Sequence, residues 1–79
     1  MSNTLAYKTI TPHLRGIANL AARGKTNNEI ATELGLKDSY VKFALTRIYS
    51  ILKISREGNP RIRLSNYIGS LNYYNRDNK

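Results

Sequence analysis

The sequence predicts an all-α fold, a four-helix domain built around a helix-turn-helix. Three observations predict it. Apolar residues recur at three- and four-residue spacing in four separate segments. Gly24, Gly35 and the Gly58-Asn59-Pro60 run punctuate the joints between those segments. No strand-like alternation is long enough to compete, and no internal repeat or low-complexity stretch is present.

The first helix begins in "ITPHLRGIANLAARG". Thr11 is suited to cap it, and Pro12 falls at the first helical position, where a missing N–H is harmless. Leu14, Ile17, Ala18 and Ala21 follow at helical spacing beside Leu20, and Gly24 supplies a left-handed stop. "TNNE" then reads as a capping box, with Thr26 as the cap and Glu29 reaching back. Ile30, Ala31 and Leu34 form the second helix's inner face, Gly35 closes it, and Leu36 is the expected buried plug in the turn.

A third helix runs from Asp38 or Ser39, either of which can cap it, to about Leu52. At about 100° per residue, Val41, Leu45, Ile48 and Leu52 fall within a stripe roughly 60° wide, flanked by Ala44 and Tyr49. Ser39, Phe43, Thr46 and Ser50 point the other way, bordered by Lys42, Arg47 and Lys53. That outer face joins an aromatic ring, hydroxyls and cations, with no acid beyond Asp38. Pro60 can start a fourth helix over about 60–74, carrying Leu64, Tyr67, Ile68, Leu71 and Tyr74 at helical spacing. Gly69 inside it costs about 1 kcal/mol relative to Ala, which close approach of another backbone would justify. The division is an N-terminal arm over 1–9, the helical domain over 10–75 and a polar tail over 76–79.

Composition bounds the function. A 79-residue chain forms one domain with a modest core, burying about 60% of its unfolded surface, so a second copy would help its stability. There is no cysteine and a single histidine, His13, which leaves neither a disulfide framework nor a histidine-rich metal set; no cofactor is implied. No nucleophile with a paired base, carboxylate pair or phosphate-cradling glycine loop suggests an enzyme. No apolar run approaches the roughly 18 residues of a membrane span, and the N-terminus lacks a signal-peptide pattern, so a cytoplasmic location is expected. Thirteen Lys and Arg against five Asp and Glu give a formal charge of +8 and a pI near 10.1, a balance suited to a polyanion. An anionic membrane surface fits poorly, because the apolar face of the third helix is needed in the core.

A short helix, a glycine turn and a longer helix with a basic outer face make a helix-turn-helix, whose second helix enters the DNA major groove. Residues 10 to 54 resemble, without a gap, the LuxR/GerE-type helix-turn-helix. The resemblance is carried by Thr11 and Pro12; Ala22 and Gly24; Asn27, Glu29, Ile30, Ala31 and Leu34; and Val41, Lys42, Ile48 and Leu52. The chain departs from the family pattern at Leu14 and Gly16, where glutamates are usual, which removes an internal ion pair. It departs again at Lys37 in place of Ser, favouring Asp38 as the cap, at Ala44 in place of His, and at a bulky Phe43.

The resemblance implies that Lys42, Phe43 and Thr46 lie near base edges, in agreement with the angular argument. Lys42 suits guanine O6 and N7, Phe43 suits a thymine methyl, and Arg47 suits base or phosphate. Asn27 and Asn28, at the start of the second helix, suit a phosphate, with Thr26, Ser39, Tyr40 and Lys53 as further backbone contacts. Bland alternatives stand beside these: a solvated face for Lys42 and Arg47, a protein contact for Phe43, helix-start roles for Asn27 and Asn28. His13 reads as a surface residue.

Members of the family commonly dimerise through the fourth helix, which implies a seam of Leu64, Ile68 and Leu71, with Gly69 permitting close approach and Tyr67 at the edge. The alternative is that this stripe completes the monomer's core. The expected partners are therefore double-stranded DNA and a second copy in a homodimer, and the expected function is sequence-specific transcription regulation. The length leaves no room for a receiver or ligand-sensing domain, so regulation by concentration, dimerisation or a partner is expected, as in stand-alone sporulation regulators or compact phage repressors. The competing reading is a protein-interaction module that reuses the fold, such as a factor binding RNA polymerase, since region 4 of sigma factors has a similar pattern.

Overall fold

A computed structural model describes residues 9–77, and side chains as far as residue 70. Four helices follow one another: α1 (Pro12–Ala22), α2 (Asn27–Leu34), α3 (Asp38–Leu52) and α4 (Pro60–Asp77). No strand occurs among the described residues.

Helix boundaries follow local chemistry. Thr11 is extended at φ −63°, ψ 156°, its hydroxyl accepts from the Leu14 N–H, and Pro12 opens α1. At the other end the Lys25 N–H bonds the Leu20 carbonyl at 3.2 Å and the Gly24 N–H bonds the Ala21 carbonyl at 3.0 Å. That pairing is a Schellman stop, and it requires Gly24 at φ +91°. The capping box closes from both sides: Glu29 N–H to Thr26 Oγ1 at 3.1 Å, Thr26 N–H to Glu29 Oε1 at 2.9 Å.

At α3 the cap departs from expectation. Lys37 occupies the cap position, its carbonyl accepting from the Val41 N–H at 3.1 Å, and its ammonium, which has no acceptor, makes no side-chain cap bond. Asp38 is therefore inside the first turn, where its charge opposes the positive end of the helix. At the far end Lys53 adopts a left-handed conformation at φ +58°, unusual for a residue with a Cβ. Helix α4 starts at Pro60 and continues to Asp77, into the segment read as a polar tail; Asn75, Arg76 and Asp77 contain no helix breaker.

The core is entirely apolar. Ile10, Ile17, Ile30, Val41, Ile48 and Leu64 are its largest fully buried side chains, and no polar residue joins them among those described. The predicted stripe of α3 is buried in full, as are Ala44 and Tyr49. Leu36 is partly buried against the cluster, as the turn reading expects. Leu34 departs from its expected inward role and is 40% exposed. At the last position of an eight-residue helix it overhangs the core edge.

Two residues of the expected dimer seam face the monomer's own interior. Leu64 and Ile68 lie in the monomer's own core, with Tyr67 partly buried beside them. Helix α4 packs chiefly on α1, and its Leu64 and Ile68 join the monomer's apolar cluster. A small domain has little apolar surface to spare. Gly69 sits on the exposed side with no close neighbour around the place a Cβ would occupy. The side chain of Leu71 is outside those described.

Candidate nucleic-acid interface

Burying the Val41–Leu52 stripe turns the opposite side of α3 outward, and Lys42, Phe43, Thr46 and Arg47 are all exposed on it. Around the helix these four divide into two flanks. Lys42 and Thr46 face a crease they share with Asn27, Tyr49, Asn59 and Arg61. Phe43 projects outward between them and a second flank, whose first member, Tyr40, leans on His13 of α1.

Each outward group has a definite chemistry. The Thr46 hydroxyl donates to the Lys42 carbonyl at 3.1 Å, so it presents a methyl group and an oxygen lone pair. Lys42 and Arg47 supply cations, and the only acid on α3 is Asp38 at its start. Phe43 is 57% exposed and Tyr40 37%, so both rings present apolar surface to solvent.

The start of α2 gathers the second set. Thr26, Asn27, Asn28, Gly24, Lys25 and Arg61 line one shallow depression. First-turn N–H groups of a helix lack intrahelical acceptors and carry partial positive charge. The side chains there are already engaged. Asn27 accepts from Arg61 through its amide oxygen. Asn28 Nδ2 donates to the Asp38 carboxylate at 3.3 Å, linking the two helices of the turn. Thr26 Oγ1 accepts from Glu29, leaving its hydroxyl hydrogen available. Ser39 and Tyr40 are exposed in the first turn of α3, whereas Lys53 follows its last residue. At 1.5 Å per residue, Ser39 and Lys53 stand about 21 Å apart along the axis. Lys53 therefore addresses a different part of any extended partner than the α2 start does.

Two participants carry no signal in the sequence. Arg61 lies at the start of α4, where a cation is unfavourable, yet it donates to the Lys25 carbonyl at 2.7 Å as well as to Asn27. Burial pushes the Tyr49 phenol above its ordinary range, and the nearby Arg61 charge opposes that rise. His13, read as a bare surface residue, meets Tyr40 across 27 positions of sequence.

An exposed cationic helix braced by a capped shorter one is the arrangement that the family comparison then places. The GerE family model, described as bacterial regulatory proteins of the luxR family, matches residues 8–57, well over half the chain. The chain belongs to the luxR family. Its domain is accordingly a DNA-binding helix-turn-helix of regulatory proteins, and the match spans α1, α2 and α3 while α4 lies beyond it. No curated protein and no solved structure matches the chain. No helix among the described residues of this luxR-family domain is long and apolar enough to cross a membrane.

Proposed function

We propose that this luxR-family chain is a sequence-specific transcription regulator that lays α3 in the major groove of double-stranded DNA. One observation carries the reading. Helix α3 buries its complete apolar stripe and leaves Lys42, Phe43, Thr46 and Arg47 exposed together on its outer side. A helix about 10–12 Å across fits a major groove about 12 Å wide. Lys42 and Arg47 donate to guanine edges or phosphates, Thr46 accepts or offers its methyl, and Phe43 covers an apolar base substituent. The α2 start, through Thr26 and the N–H groups of Asn27 and Asn28, clamps a phosphate, with Ser39, Tyr40 and Lys53 adding backbone contacts.

The regulator acts as a homodimer, two recognition helices lying about 34 Å apart on half-sites one turn of DNA apart. Since Leu64 and Ile68 are consumed by the core, the contact uses the outer side of α4. Ile62 there is 57% exposed, and Gly69, two helical turns on, is exposed on the same side.

The test is selection of bound sequences from random DNA, followed by affinity measured against salt. A palindromic site with a steep fall of log affinity with log salt supports the reading. Recovery of no preferred sequence, with salt-independent retention, would sink it.

The second reading is a module that docks on RNA polymerase. The exposed Phe43 ring favours it, because such a ring serves a protein contact as well as a base. Replacing Lys42 and Arg47 with Ala abolishes DNA binding under the first reading, and spares a polymerase association that rests on the Phe43 ring under the second.

A further inference from the structure

The second flank of α3 is built from more than one helix. His13, in the first turn of α1, places Nε2 3.1 Å from the Tyr40 hydroxyl oxygen. The phenol donates when that nitrogen is bare and accepts when it carries hydrogen, so the link survives either tautomer. The two rings lie 5.7 Å apart between centroids, inclined at 35°. Tyr40 in turn stands 6.3 Å from Phe43 at 44°, a tilted aromatic contact one helical turn along. All three residues are exposed, so core packing does not explain the row.

An uncovered aromatic side chain on a reading surface needs an apolar counterpart. Among the groups that bases present in the major groove, the thymine C5-methyl is the apolar one. A freely rotating ring would meet it only part of the time. Tyr40 occupies the α1 side of Phe43 and denies it that direction, and Tyr40 is itself moored by His13.

We propose that His13 is a positioning residue of the DNA-reading surface, anchoring Tyr40 so that Phe43 is held ready to pack on a thymine C5-methyl group. This rests on the regulator reading above. His13 touches no base; it acts through Tyr40, and its effect is on discrimination rather than on overall attraction.

The experiment takes the duplex recovered by selection from random DNA and replaces each thymidine in turn with deoxyuridine, which removes only the methyl group. The native chain should lose roughly fourfold in affinity at a methyl that Phe43 covers. Phe43→Ala should bind the two duplexes equally at that position. His13→Ala should shrink the thymidine preference while leaving the salt slope and the urea midpoint unaltered, and Tyr40→Phe should shrink the preference too. His13→Gln, whose amide reaches the same hydroxyl, should restore it. A full thymidine preference in His13→Ala, or none in the native chain, overturns the inference while the regulator reading stands. Failure to select any sequence overturns both.

Discussion

Arg61 Nη1 donates to the Lys25 carbonyl oxygen across 2.7 Å, joining the first turn of α4 to the turn that leads into α2. The same guanidinium donates to Asn27, so one side chain holds α4 against the start of the helix-turn-helix. A planar fork satisfies both acceptors at once; an ammonium does not reproduce that geometry. Arg61→Ala should lower stability by about 1–3 kcal/mol in urea unfolding, and Arg61→Lys should recover less than half of the loss. A midpoint unchanged by either substitution would remove this link from the account.

Lys53 makes a separable prediction. It holds a left-handed conformation at φ +58°, which glycine adopts without steric penalty. Lys53→Gly should raise stability by about 0.5–1 kcal/mol, after the greater unfolded-state freedom of glycine is subtracted. If Lys53 also meets a phosphate, the same variant should bind DNA more weakly and reduce the salt slope by about one. Stability and affinity then move in opposite directions.

These two residues show what the sequence does and does not disclose. The stripe of α3 was legible because burial leaves a period, and the Thr26–Glu29 box because capping needs fixed residue types at fixed spacing. The Arg61–Lys25 bond joins positions 36 apart and involves a backbone carbonyl, which leaves no residue pattern at all. The stripe of α4 was legible as apolar but not as to what covers it. Periodicity reports that a face is buried, and whether the burial is against the same chain or another depends on how much area α1 already supplies. His13 and Tyr40 likewise come together only through the packing of α1 on α3.

Alkaline titration should isolate Tyr49. Its folded-state pKa is raised above the ordinary 10.0 by burial, with Arg61 opposing. The folded chain therefore keeps this proton longer than the unfolded chain does. The contribution is fully present below the unfolded value and is lost as pH climbs from about 10 through the folded value. Tyr49→Phe removes the ionisation, so its stability should fall less than that of the native chain above pH 10. Parallel curves for the two proteins would contradict the burial argument.

Recognition should divide by residue. Lys42→Ala should lose about 1–3 kcal/mol on the selected site and relax preference at one base position. Arg47→Ala should do the same if it meets a base. If it meets a phosphate, it should weaken all sequences alike and lower the salt slope by about one. Binding measured on the selected duplex and on scrambled DNA separates the cases.

Gly69 distinguishes a lone chain from a pair. With open space where its Cβ would stand, Gly69→Ala should stabilise the monomer's helix by about 1 kcal/mol. If a second α4 backbone approaches there, the added methyl should instead weaken self-association in sedimentation equilibrium, as should Ile62→Lys. A stabilised variant with unaltered association would place the dimer contact elsewhere.

The apolar core and the outward row of α3 have only the helix backbone in common, since no polar side chain among those described is buried and Lys42, Phe43, Thr46 and Arg47 all project away from the packed interior. Under the regulator reading, new operator preferences are therefore accessible by exchanging those four positions without renegotiating the interior. Divergence of target sites within such a scaffold can outpace divergence of its architecture.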